Sequence, residues 1–214
     1  LRRIEPTAGL VLDCCGKISH DLGLEERFAA LFHTFSIRLK DRGITRILTA
    51  CPGCTKIVRA YGNGFDVSGI YEILARAPLS PVPVPSASVA IHDPCPSRFD
   101  PNHQRAVRLL VRASGYGIRE LPSHGNATRC CGQGGMVEGC VPGTVRKESG
   151  GIAAEAAGSP IVSSCGACCD TLSSVAPTAH VADVLAGIAT FSTSPVPSPL
   201  RWLNRLRLRF ARFP

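Results

Sequence analysis

Apolar positions along the chain fall into two patterns. Short continuous apolar runs at residues 9–13, 44–49, 88–92 and 160–163 have the length and composition of buried strands. Between them apolar residues recur at helical spacing. Phe28, Leu31, Phe32, Phe35 and Leu39 form one such stripe, with Gly43 placed to stop the helix. Val107, Leu110 and Val111 mark another before Gly115. Strands alternating with helices predict an α/β fold of βαβ units with parallel sheets. Cys14, Cys51, Cys95 and Cys165 each follow a predicted strand directly or within three residues. Ligands in such sheets bind beyond the carboxyl ends of the strands, so these cysteines are expected to gather on one edge of each unit.

The chain also repeats itself. Cys14-Cys15-Gly16 returns as Cys130-Cys131-Gly132, and Cys51-Pro52-Gly53-Cys54 returns as Cys165-Gly166-Ala167-Cys168, at offsets of 116 and 114 residues. Pro6 and Pro122 each stand eight residues before the cysteine pair, and related segments from Val67 and from Ala179 close the two copies. The second copy carries a further Cys95, 35 residues ahead of Cys130; its counterpart in the first copy would fall about 21 residues ahead of Leu1. The first unit is therefore expected to lack its N-terminal half, either by truncation (the chain opens on Leu1, not Met) or by degeneracy. The expected organisation is an incomplete first unit at 1–77, a stiff proline-rich linker at 78–87, a complete second unit at 88–190, and a linker with a basic tail at 191–214.

Composition narrows the function classes. With 214 residues, 44% hydrophobic and 19% charged, the chain can bury a core and is not a disordered segment. No stretch reaches the roughly 18–20 apolar residues of a spanning helix, and no signal-peptide pattern opens the chain. The net charge is +8, but from Phe191 onward there are five arginines and no Asp or Glu. The body keeps about +3, an ordinary value that argues against nucleic acid as a partner.

Eleven cysteines change the picture most. The odd count and the chain length argue against a secreted disulfide framework and for metal or redox chemistry in the cytoplasm. Cys95, Cys130, Cys131, Cys165 and Cys168 give the second copy five thiols in a C…CC…CxxC order. Gathered thiolates repel one another unless a cation holds them. A structural zinc ion closes its shell with four ligands, whereas a cluster of several irons can use five and can take both members of an adjacent pair. Gly16, Gly53, Gly132, Gly134, Gly135 and Gly166 crowd these sites, permitting tight turns and exposing backbone N–H groups to an anionic centre.

These motifs, with His92-Asp93-Pro94-Cys95 and Cys130-Cys131-Gly132-Gln133-Gly134-Gly135 among them, resemble the CCG, or cysteine-rich, domain of heterodisulfide reductase. They are similar as well to the iron–sulfur subunits of glycolate oxidase, of lactate-utilisation complexes and of anaerobic glycerol-3-phosphate dehydrogenase. The resemblance spans the chain to about residue 190. It implies that a complete motif binds an iron–sulfur cluster, in heterodisulfide reductase a noncubane [4Fe-4S] type that acts on a disulfide. By position, Cys95, Cys130, Cys131, Cys165 and Cys168 would be the ligands in the second unit. Cys14, Cys15, Cys51 and Cys54 match in the first unit without the leading cysteine, for which a second cluster, zinc or no metal are the expectations. The resemblance also implies an oxidoreductase subunit active within a complex, with a flavoprotein, a ferredoxin-type protein or a membrane quinone-linked subunit as partner. It implies a cytoplasmic place, free or on the inner face of the membrane.

Other residues are read locally. Cys140 and Cys169 fall outside the motif and are expected to be packed thiols. His92 is expected to satisfy a nearby backbone group, with tuning of a cluster or proton relay as the sharper alternative. Asp93 is expected to cap the following turn, and His20 and His124 to be solvated loop residues. No Ser-His-Asp order, Walker loop, GxGxxG after a strand, or ferredoxin CxxCxxCxxxCP run is present, and no catalytic residue is assigned. In the tail, Arg201, Arg205, Arg209 and Arg212 share one helical face beside Trp202, Leu203, Leu206, Phe210 and Phe213, while Arg207 and Leu208 break the pattern. Such a helix suits an anionic membrane surface, an acidic partner subunit, or packing back on the body. Two further functions compete with electron transfer. One is a zinc-stabilised interaction module without enzymatic activity, which leaves the fifth cysteine unused. The other is thiol–disulfide exchange through a CxxC pair alone, which leaves the CCG pairs unexplained.

Overall fold

A computed structural model describes Leu1, residues 4–78 and residues 87–210. The first unit runs through helices α1 (Lys17–Asp21) and α2 (Glu25–Lys40), strand β1 (Arg46–Thr49), helix α3 (Pro52–Tyr61), strand β2 (Asp66–Gly69) and helix α4 (Ile70–Leu74). The second unit opens with strand β3 (Ala87–His92) and a 3-10 turn at Cys95–Ser97. It continues through helix α5 (Pro101–Ala113), strand β4 (Tyr116–Glu120), helices α6 (Val137–Cys140) and α7 (Thr144–Ala156), strand β5 (Ile161–Ser163), helix α8 (Gly166–Leu172), strand β6 (Thr178–His180) and helix α9 (Val181–Leu185). Helix α10 (Ser198–Phe210) follows. Among the described residues these strands pair in parallel, β1 with β2, and β4-β3-β5-β6 in the second sheet, with one antiparallel bridge from Thr178 to Ser192 at its edge. The chain is thus an α/β protein of two related units, as its alternating pattern predicts. The order β1–α3–β2–α4 recurs as β5–α8–β6–α9, and among the described residues the first unit has no counterpart of β3–α5–β4.

Local chemistry explains the elements that position the cysteines. Helix α2 buries Phe28, Phe32, Phe35 and Leu39 on one stripe, starts with Glu25 and Glu26 and ends with Arg38 and Lys40, charges that match the helix dipole at both ends. It stops in a Schellman turn: Gly43 at φ +67° donates to the Lys40 carbonyl and Ile44 to the Leu39 carbonyl. Leu31, off that stripe, is exposed. In β3 alternate residues face opposite layers. Val89 and Ile91 pack with Val107, Leu110 and Val111 of α5 and Val184 of α9, whereas Ala90 packs with Ile152 and Ala156 of α7 and Leu172 of α8. The first unit reaches into the second unit's core. Tyr71 of α4 is fully buried in the α5 layer, its ring edge-on to His103 at 5.7 Å. Arg59 of α3 also pairs with Asp100, the N-cap of α5, at 2.6 Å.

One expectation needs correction. Residues 9–13 form no strand; Leu10, Val11 and Leu12 are exposed, and among the described residues no strand pairs with them. Cys14 therefore follows an irregular approach rather than a strand end. Strands β2, β4 and β6 escape the apolar-run criterion because they are three to five residues long and only partly apolar. Most of the proline-rich stretch expected at 78–87 lies outside the described residues, and its last residue, Ala87, already opens β3. Among the described residues, no helix is long and apolar enough to cross a membrane.

Candidate metal centre

Both CxxC motifs sit at a strand-to-helix junction. Cys51 and Cys165 are the N-caps of α3 and α8, with extended backbone, so the free N–H groups of the first helical turn surround their sulfurs. Hydrogen bonding to Cys54 lowers the Cys51 thiol to about 6 against the cost of its burial, helped by the N–H groups of Cys54 and Gly53 and by the charge of Lys17. Hydrogen bonding to Cys168 likewise lowers Cys165 to about 7 against its burial, with the N–H groups of Cys168 and Ala167 assisting. Cys54 and Cys168 are pushed up in return. The first cysteine of each pair is therefore the one that gives up its proton more readily, toward the thiolate form that binds metal.

The CCG turns aim backbone donors in the same way. Gly16 and Gly132 hold φ at +74° and +84° and each donates its N–H to the sulfur two residues back, Cys14 and Cys130, at 3.4 Å. Cys54, and then the next N–H group, of Lys17, lower Cys15 to about 7 despite its burial. Cys130 pushes Cys131 up to about 11, against the pull of Cys168 and the Gln133 N–H. Glycine is required on two counts at position 132: the left-handed backbone, and a Cβ that would sit 2.9 Å from the Val145 Cα.

In the second unit the five thiols form one run. The Cys131 sulfur lies 3.3 Å from that of Cys168. Cys95 and Cys131 flank Cys130 closely enough to shift its acidity, and Cys165 and Cys168 shift each other's. Cys130 is held well below the ordinary thiol range by its bonds to Cys131 and Cys95. In the first unit Cys15 lies 3.2 Å from Cys54, which also bonds Cys51, while Cys14 is exposed. All eleven thiols are free. The two sets are neighbours: the charge of Cys51 bears on Cys165, and that of Lys17 on both Cys51 and Cys95. Between the units runs a groove of about 1090 Å³ lined by Lys17, Lys56, Arg59, Cys95, Arg98 and Cys130.

The family model of the CCG cysteine-rich domain matches residues 10–59 and 89–173, the two stretches that carry these thiols. The chain belongs to the CCG cysteine-rich domain family. No curated protein matches it. A CCG domain with its thiols clustered in this way is consistent with a metal-binding or iron–sulfur role.

Whether these CCG residues fit such a group is decided by the donors. Among the described residues, no three or more Cys, His, Asp or Glu side chains are arranged around a single-ion site; the thiols pack sulfur on sulfur instead. Their chemistry fits nonetheless. The donors are all sulfur, five in the second unit, and backbone N–H groups face the sulfurs. The Tyr71 hydroxyl, fully buried and without a hydrogen-bond partner, also lies within the field of Cys169, Cys51 and Cys165.

The supporting residues meet some of the local expectations and depart from others. His92 does bond a backbone group, the Arg129 carbonyl at 3.2 Å, and also meets the Ser163 hydroxyl at 3.3 Å. It thereby ties the approach to Cys130 to the end of β5. Burial lowers its pKa. Asp93 caps no turn. Its carboxylate takes two bonds from Arg108 at 2.9 Å and the Gly125 N–H at 2.8 Å, because the α5 face opposite offers a guanidinium. His20 is not a solvated loop residue: it lies in α1, packs on Phe28 at 5.1 Å and bonds the Tyr61 hydroxyl at 2.8 Å. His124 is exposed and bonds the Leu121 carbonyl. Cys169 turns away from the run toward the Ser163 and Ala179 carbonyls, and burial raises it to about 12. Cys140 is exposed on α6, not packed. Sequence reasoning missed His103, whose Nε2 meets the Ser164 hydroxyl at 2.8 Å just before Cys165. It also missed Thr128, which donates to the Asp93 carbonyl and so fastens the Cys130 approach beside Cys95.

Proposed function

We propose that this CCG protein is an iron–sulfur electron-transfer subunit of a heterodisulfide-reductase-like oxidoreductase. The observation that carries the proposal is the gathering of five mutually interacting thiols beyond the carboxyl ends of β3 and β5, with Cys131 and Cys168 in contact at 3.3 Å. Cys95, Cys130, Cys131, Cys165 and Cys168 would hold a [4Fe-4S] cluster of noncubane type. When bound, the cluster would supply one-electron exchange. The chain's own part is electrostatic and steric. The N–H groups of the CCG turns and the two helix N-termini offset the negative charge of the thiolates. His92, His103 and Thr128 fix the loops that carry the cysteines, and Leu121, Ile152 and Leu172 keep water from the buried side. Cys15, Cys51 and Cys54, with Cys14 beside them, would form a second site for a cluster or zinc. Lys17 places a cation between the two sets, and the groove gives a substrate or partner redox subunit access to Cys95 and Cys130.

The test is a cysteine series in the full chain purified without oxygen. Alanine at Cys95 or at Cys131 is expected to remove the iron and sulfide of the second unit, while alanine at Cys140 leaves both unchanged. Full retention of iron in both the Cys95→Ala and Cys131→Ala proteins contradicts the assignment.

A further inference from the structure

The cysteine sites make no use of α10. The helix follows a segment carrying Pro195 and Pro197, and its apolar side chains are exposed: Trp202 at 69%, Leu206 at 54% and Phe210 at 75%. The stripe of α2, by contrast, is buried to within 8%. At about 100° per residue, Trp202, Leu203, Leu206 and Phe210 fall within one arc of roughly 100°. Helix positions 201, 205 and 209, all arginine in the sequence, share the adjoining arc, and position 207, also arginine, flanks the other edge. From Phe191 to the last residue there is no Asp or Glu.

We propose that α10 lies flat on an anionic lipid bilayer, its apolar arc in the acyl boundary and its arginines among the headgroup phosphates. The observations favour a bilayer over an acidic protein groove. The apolar arc contains no polar side chain that would set a register against a folded partner, and charge of one sign borders it on both edges. A laterally fluid surface of negative charge matches that layout, and Trp202 stands at the edge between the two arcs, where an indole suits the headgroup level. At 13 residues the helix lies on the bilayer and does not cross it. The proposal does not depend on what the cysteines bind.

Trp202 is the sole tryptophan, so the protein carries its own reporter. The full chain is mixed with vesicles of phosphatidylcholine alone, or of phosphatidylcholine with phosphatidylglycerol, and followed by sedimentation and tryptophan emission. Binding is expected to be at least about tenfold stronger to the anionic vesicles, to fall steeply with added salt, and to shift Trp202 emission to the blue. The double variant Leu206→Asp, Phe210→Asp is expected to lose binding while keeping the circular dichroism of the body. Equal binding to both vesicles, binding without a blue shift, or binding unchanged in the double variant would overturn the proposal. So would retention on immobilised polyglutamate with no binding to anionic vesicles, an outcome that assigns the helix to an acidic protein.

Discussion

Gly132 turns the chain through a left-handed backbone between two ligand candidates and the α7 helix, with the Val145 Cα only 2.9 Å from where a Cβ would stand. Alanine there is expected to cost about 1–3 kcal/mol in strain and displaced backbone, seen as a drop of several degrees in Tm. Gly134, where a Cβ meets nothing within 4 Å, is expected to accept alanine nearly silently. Equal thermal shifts in the two variants would show that glycine at 132 is not constrained. At this scale the cysteines are legible in sequence because ligand spacing survives as text: CCG and CxxC recur at matching offsets. His103, Ser164 and Thr128 are not legible. Each meets its partner across 35 to 61 residues of chain, and nothing in its neighbourhood marks it. Cys169 differs from Cys168 only in the direction its side chain takes from α8, which no spacing records.

The elements place the thiols where parallel strands end. Long helices are readable because their apolar stripes are long, as Phe28 to Leu39 shows. Strands of three or four residues carry too few positions to reveal a period, and residues 9–13 are an apolar run that pairs with no strand among the described residues and is irregular. Asp93 illustrates how an element supports the site. Against the cost of its burial, the two bonds from Arg108 on α5 and the Gly125 N–H hold its carboxyl below the usual range. A depressed folded pKa stabilises the protein above the unfolded value of about 3.9, and that stabilisation is lost as the pH falls through the folded value. Arg108→Met leaves this carboxylate buried and unpaired, so thermal or urea unfolding at pH 7 is expected to show a loss of about 3–5 kcal/mol. The loss should shrink in acid, where Asp93 is protonated. A constant loss between pH 7 and pH 3 would rule out the Asp93 charge as its source.

At the scale of the whole molecule, the repeat in the sequence becomes two α/β units whose cores touch through Tyr71 and α5. That contact sets the two groups of thiols beside each other, with the charge of Lys17 acting on Cys51 and Cys95, and leaves Cys95 and Cys130 lining the groove. The repeat is visible in the text; the contact is not, because it rests on which face of α4 meets α5. The central claim is that the second unit holds a multi-iron centre. It is tested most directly by measuring iron, acid-labile sulfide and zinc in the full chain purified without oxygen, with its absorption spectrum. About four irons and four sulfides per chain, with a brown colour, are expected from the five-thiol run alone, and about eight of each if the first unit binds as well. Zinc without sulfide, in a colourless protein, would contradict the claim and leave a metal-stabilised interaction module.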